Sequence, residues 1–293
     1  MNLPLVNLTH LDDLWFQVGG TLCNLTCHHC FISCSPHNRS FGFLDLETVR
    51  RYLDESVELG VKEYYFTGGE PFLNRDMLAI LDLTLKYGPA TVLTNGTVLK
   101  PEWLTRLRDA ERESRYSLEF RVSIDGYTAE VNDAVRGAGT FERILRGIEL
   151  LVAFGFLPII TVTRVDDDAD DAKLYAAFVR LLKEHGYARP RIKILPSLRI
   201  GAEATRRRGY SDGERVTGQM LDGYDQNLLV CSHARMITDR GVYVCPILIE
   251  SPEAKLGATL VESLREFAID KPACYTCWQY GAICSNVAVE AQG

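Results

Sequence analysis

Three cysteines near the start of the chain have a spacing that suits an iron–sulfur cluster. Cys23, Cys27 and Cys30 form a C-x3-C-x2-C pattern in a loop after the first predicted strand. Three thiolates on one loop can bind three irons of a 4Fe–4S cube and leave the fourth iron without a protein ligand. A structural zinc is the alternative, although zinc sites favour four ligands in spaced pairs. An iron without a protein ligand is able to bind a small molecule.

A second group of cysteines lies near the other end of the chain, and no cysteine occurs between Cys34 and Cys231. Its spacing predicts a four-thiolate site that combines a hairpin pair with a C-x2-C pair, and it is compatible with either zinc or a 4Fe–4S cluster. The four predicted ligands are Cys231, Cys245, Cys274 and Cys277. Cys284 is spare, and it could replace Cys274 or Cys277.

Cys34 follows Cys30 by four positions and is surplus to the first site. A buried, incidental thiol is one interpretation, because free cysteine behaves as a small hydrophobic residue. A substrate-facing residue at the mouth of the fold is the other, which makes Cys34 a weak candidate for a catalytic residue.

Composition excludes several classes of protein. Of the 293 residues, 46% are hydrophobic and 24% are charged, as in folded globular proteins. The net charge of −7 disfavours nucleic acid as a partner. No apolar run is long enough to cross a membrane, and the first residues do not resemble a signal peptide. We therefore expect a cytoplasmic protein without a membrane partner, in which disulfides are disfavoured.

The elements that must position these cysteines alternate between strand and helix. Predicted strands cover 14–18, 63–67, 91–94, 118–124, 157–163 and 191–195, with amphipathic helices between them. This alternation predicts an α/β fold with a parallel sheet, and six units correspond to a partial (β/α)6 TIM-type barrel or an open sheet. Ligands of either fold collect at the carboxyl ends of the strands. The alternation stops near residue 200, so we predict a barrel domain over 1–200 and a cysteine-rich extension over 201–293.

Several motifs at the predicted strand ends resemble those of the radical S-adenosylmethionine (SAM) superfamily. The C-x3-C-x2-C loop is similar to the family signature, which usually has an aromatic residue where this chain has His29. Four further elements resemble family motifs, and they are Thr67-Gly68-Gly69-Glu70-Pro71, Thr94-Asn95-Gly96-Thr97, Ser123-Ile124-Asp125-Gly126 and Arg136-Gly137-x-Gly139-Thr140-Phe141. The resemblance covers about residues 14–200.

The resemblance implies a role for each of these elements. Backbone near Gly68 and Gly69, together with Glu70, would take the methionine amino group of SAM, and Pro71 completes that motif. Asn95 belongs to the turn after the third strand. Ser123 and Asp125 would reach the ribose and the carboxylate. Arg136 would pair with the carboxylate, and Leu195 would face the adenine.

The second cysteine group resembles the C-terminal extension called SPASM, or its shortened form, twitch. The chain departs from the full pattern, with three residues between Gly241 and Cys245, six before Cys284, and Ala288 at the last ligand position. The resemblance therefore implies one auxiliary 4Fe–4S cluster rather than two.

A radical SAM enzyme cleaves SAM reductively to a 5′-deoxyadenosyl radical, which takes a hydrogen atom from its substrate. A fully ligated auxiliary cluster favours net oxidation of a small molecule, with an electron donor such as flavodoxin or ferredoxin. Modification of a peptide is the alternative, although only 22 residues precede Cys23, too few for a separate leader-binding domain. A non-catalytic metal–thiolate protein is the competing hypothesis, but it has no need of Glu70 and Arg136 at strand ends.

Overall fold

A computed structural model describes residues 3–165, 170–281 and 283–284. The strands are β1 (Leu5–Val6), β2 (Asp13–Phe16), β3 (Glu63–Phe66), β4 (Ala90–Thr94), β5 (Leu118–Ser123), β6 (Ile159–Thr163), β7 (Arg191–Leu195), β8 (Ala234–Thr238), β9 (Gly241–Tyr243), β10 (Lys255–Gly257) and β11 (Phe267–Ala268). The helices are α1 (Leu46–Glu58), α2 (Met77–Thr84), α3 (Pro101–Glu113), α4 (Ala129–Arg136), α5 (Thr140–Ala153), α6 (Asp171–Glu184), α7 (Ala202–Arg206) and α8 (Pro272–Tyr280). Ala288 lies outside the described residues.

One sheet carries most of the architecture. Its strand order is β10-β9-β8-β2-β3-β4-β5-β6-β7, and β2 to β7 run parallel to one another. Each predicted strand overlaps one of these six, which confirms the α/β fold of the partial-barrel type. Because parallel neighbours end at the same edge, the loops after β2 to β7 meet on one side of the molecule.

Local sequence explains where the helices lie. The Asp45 carboxylate caps α1 by accepting a hydrogen bond from Thr48 N at 2.8 Å, and α3 begins at Pro101, which needs no intrahelical partner. One apolar face of α5 is buried against the sheet, and its members are Phe141, Ile144, Leu145, Ile148 and Leu151.

The C-terminal extension continues the barrel sheet instead of forming a sheet of its own. Strand β8 pairs in parallel with β2, and β9 and β10 follow in antiparallel order. A hydrophobic cluster also joins the two parts, since it contains Trp15 and Tyr65 of the barrel together with Cys231 and Cys245. The sheet therefore continues across the boundary predicted near residue 200, and the division into two domains stays a prediction. No described helix has both the length and the apolar character needed to cross a membrane.

Candidate functional site

A cavity of about 250 Å³ opens at the carboxyl ends of the strands. The cysteine loop forms one wall of this cavity, and strand ends form the others. Lining residues predicted from the sequence are Cys23, Cys27, Cys30, Cys34, Gly68, Gly69, Asn95, Ser123, Arg136, Leu195 and Cys284. Glu70, Pro71 and Asp125 do not line it, although Glu70 and Asp125 are buried directly beside residues that do.

The cysteine loop rests on the glycine pair that follows β3. Gly69 N donates to Gly20 O at 2.9 Å, and Glu70 N donates to Leu22 O at 3.0 Å. A Cβ on Gly69 would lie 2.0 Å from Leu22 O, so no larger residue fits there. We expected these glycines to let the backbone approach a ligand; the structure shows that Gly69 also lets the backbone approach the base of the cysteine loop.

The thiols of this loop differ in their surroundings. Burial raises the pKa of Cys23 to about 12 and the pKa of Cys27 to about 11. At Cys30 the hydrogen bonds from Cys34 outweigh burial and hold the pKa below its usual range. Cys34 N donates to Cys30 Sγ at 3.3 Å, and the buried Cys34 thiol contacts Gly68 O at 3.9 Å. Cys34 therefore lies directly behind Cys30 as well as at the cavity wall.

Asp125 holds two cavity residues in place. Its Oδ2 atom lies 2.7 Å from His29 Nε2 and accepts a hydrogen bond from Arg136 Nε at 2.5 Å. Its Oδ1 atom accepts one from Thr163 N at 2.9 Å. Burial alone would raise the pKa of Asp125, but the charges of Arg136 and His29 keep it well below the usual range. Asp125 is 2% exposed and does not line the cavity, so the structure shows it in a positioning contact, and its reach to the ribose and carboxylate of SAM stays a prediction.

His29 is a site residue whose importance the sequence did not reveal. It lines the cavity, and its Nδ1 atom is buried without a hydrogen-bond partner among the described residues. The departure from an aromatic residue was visible in the sequence, but its contact with Asp125 spans 96 positions. Only the fold brings these two residues together.

Glu70 joins two motifs of the site. Its carboxylate accepts hydrogen bonds from Asn95 N at 2.9 Å, Thr94 Oγ1 at 2.7 Å and Phe72 N at 3.2 Å. Complete burial raises its pKa to about 7 despite these bonds. The structure thus gives Glu70 a positioning contact, and binding of the SAM amino group by Glu70 stays a prediction.

Asn95 connects the same network to the cysteine loop. Its side-chain amide donates to Asn24 Oδ1 at 2.9 Å and lies 3.7 Å from Cys23 Sγ. A fixed polar network therefore reaches from the end of β4 to the first cysteine.

The second group of cysteines surrounds a separate, smaller cavity. Its volume is about 20 Å³, room for about one water molecule, and its other lining residues are all apolar. The cysteines that line it are Cys231, Cys245, Cys274 and Cys277. Cys231 precedes β8 and Cys245 follows β9, while Cys274 and Cys277 lie one turn apart on α8.

Burial dominates the titration of this second group. It raises the pKa of Cys231 to about 12 and of Cys245 to about 11, and it raises those of Cys274 and Cys277 well above the usual value. Thiols buried in this way stay protonated unless a bound metal displaces the protons.

Cys284 lies between the two cavities. It lines the large cavity and not the small one, and its carbonyl accepts a hydrogen bond from Arg121 Nη1 at 2.9 Å. Burial raises the pKa of its thiol to about 12, with Cys245 adding to the effect. Across the described part of the chain, no three His, Cys, Asp or Glu residues converge closely enough to hold one metal ion. The ligands of a cube each bind a different iron, so they need not converge on one point.

Several known proteins are similar in sequence to part of this chain. The mycofactocin maturase of Mycobacterium ulcerans is 35% identical over 170 residues, which are 55% of this chain and 44% of that protein. The AdoMet-dependent heme synthase of Methanosarcina barkeri is 38% identical over 139 residues, 47% of this chain and 38% of that protein. The subtilosin biosynthesis protein AlbA of Bacillus subtilis is 33% identical over 135 residues, 45% of this chain and 29% of that protein. The chain thus spans less than half the length of each.

Solved structures share the fold at low identity. The complex of Streptococcus suis SuiB with S-adenosylmethionine superposes with a TM-score of 0.65 at 14% identity, over 94% of this chain and 69% of that one. The native anSMEcpe structure with bound AdoMet gives a TM-score of 0.63 at 18% identity, over 86% of this chain and 79% of that one. The family model described as the Radical SAM superfamily matches residues 18–174, more than half of the chain. The protein therefore belongs to the radical SAM superfamily.

Proposed function

We propose that the large cavity is the active site of a radical SAM enzyme, with a 4Fe–4S cluster held by Cys23, Cys27 and Cys30. One observation carries this assignment. The three cysteines line the same cavity as Gly69, Asn95 and Arg136, at the carboxyl ends of parallel strands. The donor chemistry fits the cluster, because three thiols of one loop leave one iron free for S-adenosylmethionine.

The bound cofactors supply the difficult chemistry: one electron cleaves the carbon–sulfur bond of SAM, and the resulting 5′-deoxyadenosyl radical takes a hydrogen atom from the substrate. The residues of this chain would bind SAM and orient it in the cavity. Arg136 offers N–H groups to the SAM carboxylate, since among the described residues its hydrogen bond to Asp125 uses the Nε atom. Leu25, Phe31 and Ile32 give the cavity an apolar wall that excludes water.

We further infer that Cys231, Cys245, Cys274 and Cys277 hold one auxiliary 4Fe–4S cluster. Four thiols around one apolar cavity, with no charged group among its lining residues, support this inference. The cavity is narrow, so a cube has to move the thiols outward, whereas zinc needs less room. The two metals therefore give different predictions for metal content, which are tested below.

With an auxiliary cluster, the reaction balances as a two-electron oxidation. A cluster held by the four cysteines would supply an acceptor for one electron, so the substrate would lose a hydrogen atom to the 5′-deoxyadenosyl radical, one electron to that acceptor and one proton to solvent. An external one-electron donor of the flavodoxin or ferredoxin class supplies the electron that cleaves SAM. Methionine, 5′-deoxyadenosine and the oxidised substrate are the products.

The sequence suggested a small molecule as the first substrate class and a peptide as the second, and the relatives reverse this order. A maturase and a bacteriocin biosynthesis protein are among them, and SuiB has been solved with its precursor peptide SuiA. A peptide is therefore the substrate class we propose first. A small molecule is the second, and the heme synthases among the relatives favour it.

The test is anaerobic incubation of the reconstituted enzyme with SAM and dithionite, with 5′-deoxyadenosine as the readout. Wild type should form it, and Cys30→Ala should not, because the cluster loses a ligand. His37→Ala is the matched control, since His37 is an exposed residue near the same loop and should leave the rate unchanged.

The same assay identifies the substrate. Peptides encoded beside the gene and candidate metabolites are added in deuterated form, and transfer of deuterium into 5′-deoxyadenosine marks the substrate. Failure of wild type to form any 5′-deoxyadenosine, in a preparation that holds its iron, would show that the proposed function is wrong.

A further inference from the structure

The floor of the large cavity has a polar character of its own, separate from the wall that carries the cysteine loop. Three residues from the middle of strands contribute to it: Trp15 of β2, Arg121 of β5 and Thr161 of β6. Side chains alternate along a strand, so Arg121 points to the same side of the sheet as Ser123, and Thr161 to the same side as Thr163. Both Ser123 and Thr163 line the cavity nearer its mouth.

Arg121 brings a buried positive charge to this floor. It is 3% exposed, its guanidinium lies 5.2 Å from the centre of the Tyr65 ring, and its Nη1 atom donates to the Cys284 carbonyl. Lys193 of β7 adds a second cation on the same side of the sheet. Burial and then the charge of Arg121 lower the pKa of Lys193 to about 8.

The nearby carboxylates lie towards the amino ends of the strands, where they interact electrostatically with Arg121 and also have contacts of their own. Glu63 accepts a hydrogen bond from the Tyr65 hydroxyl, and Glu119 accepts one from Arg191 at 2.6 Å. Burial raises the pKa of Asp13 to about 7, with Glu63 adding to the effect, so the negative charge of Asp13 is reduced near neutral pH. Among the described residues that line the cavity there is no Asp or Glu.

Two further polar atoms point to a ligand at the same floor. Trp15 Nε1 and Thr161 Oγ1 are buried without a hydrogen-bond partner among the described residues, and Trp15 is only 1% exposed. A buried donor without a partner is costly, so it implies an acceptor that binds there. An indole N–H donates only, and a threonine hydroxyl can donate. A guanidinium together with two such groups matches a carboxylate.

We propose that this floor, formed by Arg121, Trp15 and Thr161, binds a carboxylate of the substrate. The proposal rests on the proposed function and names its substrate class. It assigns the two cavity arginines to different anions, with Arg136 beside the cysteine loop for SAM and Arg121 at the floor for the substrate. The carboxylate belongs either to a peptide or to a small organic acid, because both present the same group to Arg121.

Matched acid and amide probes test the proposal by equilibrium dialysis against the anaerobically reconstituted enzyme. N-acetyl-L-phenylalanine and its amide represent a peptide C-terminus, and 3-phenylpropanoate and its amide represent a small acid. The two members of each pair have nearly the same shape, and the amide replaces one charged acceptor oxygen with a neutral NH2 donor. Wild type should bind the acid about ten- to a hundredfold more tightly than the amide, as expected for a charge-assisted pair with arginine. The pair with the larger ratio identifies the source of the carboxylate.

Arg121→Gln should bind acid and amide equally, whereas Arg121→Lys should keep part of the preference. Arg146→Gln is the matched control, because Arg146 is an exposed residue of α5 outside the cavity and its loss should leave the ratio unchanged. The proposal is overturned if wild type binds acid and amide equally, if neither acid binds, or if folded Arg121→Gln retains the full preference.

Arg121 is buried, so circular dichroism must show that Arg121→Gln is folded. If it is not, Trp15→Phe and Thr161→Val take its place, and each should reduce the preference about two- to fivefold by removing one neutral hydrogen bond. An unchanged ratio in both variants would overturn the proposal. The dialysis needs no turnover, so failure of SAM cleavage in wild type would reject the proposed function without deciding the carboxylate site.

Discussion

The two cysteine regions of this molecule use the same ligand chemistry in opposite surroundings. The loop with Cys23, Cys27 and Cys30 opens onto a cavity of about 250 Å³, whereas Cys231, Cys245, Cys274 and Cys277 close around one of about 20 Å³. The first has room for another molecule beside its cysteines, whereas the second has room for about one water molecule. Under the proposed function, this difference in volume would assign binding and chemistry to the first region and electron transfer or structural support to the second.

The side chains around the two cysteine regions also differ, and the difference is one of polarity. Polar side chains support the first loop, with Asp125 fixing His29 and Arg136, and Glu70 fixing the turn at Asn95. Apolar residues surround the second group, and they are Leu229, Val230, Val244, Ile247, Leu248, Phe267, Ile269 and Ala273. Damage to the first region should therefore reduce binding and catalysis, while damage to the second should reduce folding stability.

The largest expected effect comes from removing the thiols of each region in turn. Changing Cys23, Cys27 and Cys30 together to Ala should abolish 5′-deoxyadenosine formation and leave the fold intact. Changing Cys231 and Cys245 to Ala should preserve SAM cleavage with dithionite but lower the melting temperature, because a metal at this site would tie β8 and β9 to α8, whereas a metal on the first loop would join residues of a single loop. Equal melting temperatures for the two variants would remove the proposed division of roles.

A smaller effect is expected at Glu70. Glu70→Ala removes an acceptor for three hydrogen bonds and a buried carboxylate beside the proposed SAM site, so SAM affinity should fall about ten- to a hundredfold. Glu70→Gln keeps a carbonyl acceptor without the charge and separates the two roles. A loss in Glu70→Gln as large as that in Glu70→Ala indicates direct binding of the amino group, while near-normal affinity indicates positioning alone. Unchanged affinity in Glu70→Ala would contradict both roles.

Asp125 should have a weaker effect on SAM binding, because it acts through its neighbours. Asp125→Asn leaves the buried Arg136 charge without its carboxylate partner, and SAM affinity should fall about tenfold while iron content is kept. Asp45→Asn is the control, since Asp45 caps α1 and Asn is an equally good cap. Loss of iron from Asp125→Asn would show that Asp125 supports the cluster rather than SAM.

The smallest expected effect concerns Cys284. Because it lines the large cavity and not the small one, Cys284→Ala should retain the iron content of wild type, whereas Cys274→Ala should lose iron from the second site. Iron analysis of the two variants, purified side by side, is the measurement. Equal losses would place Cys284 among the ligands of the second region.

The sequence predicted what depends on local pattern. The alternation of strands and helices and the position of the cysteine loop after the first strand both follow from residues close together in the chain. Pairings across long separations were not visible. The contact of His29 with Asp125, the bonds from Glu70 to the turn at Asn95 and the parallel pairing of β8 with β2 all depend on the assembled fold.

The sequence also revealed only part of the role of Gly69. A glycine pair after a strand indicates a close approach by backbone, but the sequence does not say what approaches. In the structure a Cβ added to Gly69 would collide with Leu22 O, at the base of the cysteine loop. The direction taken by the chain after α8, which places Cys284 at the large cavity, has no local signal at all.

Metal analysis of the reconstituted wild type tests most directly whether each of the two cysteine regions holds a 4Fe–4S cluster. The protein is loaded anaerobically with iron and sulfide, desalted, and measured for iron and zinc, with Mössbauer spectra to identify the clusters. Two 4Fe–4S clusters give about eight irons per chain and no stoichiometric zinc, and the variant without Cys23, Cys27 and Cys30 should keep about four. About four irons together with one zinc per chain in wild type would contradict the auxiliary cluster and make the second region a structural zinc site.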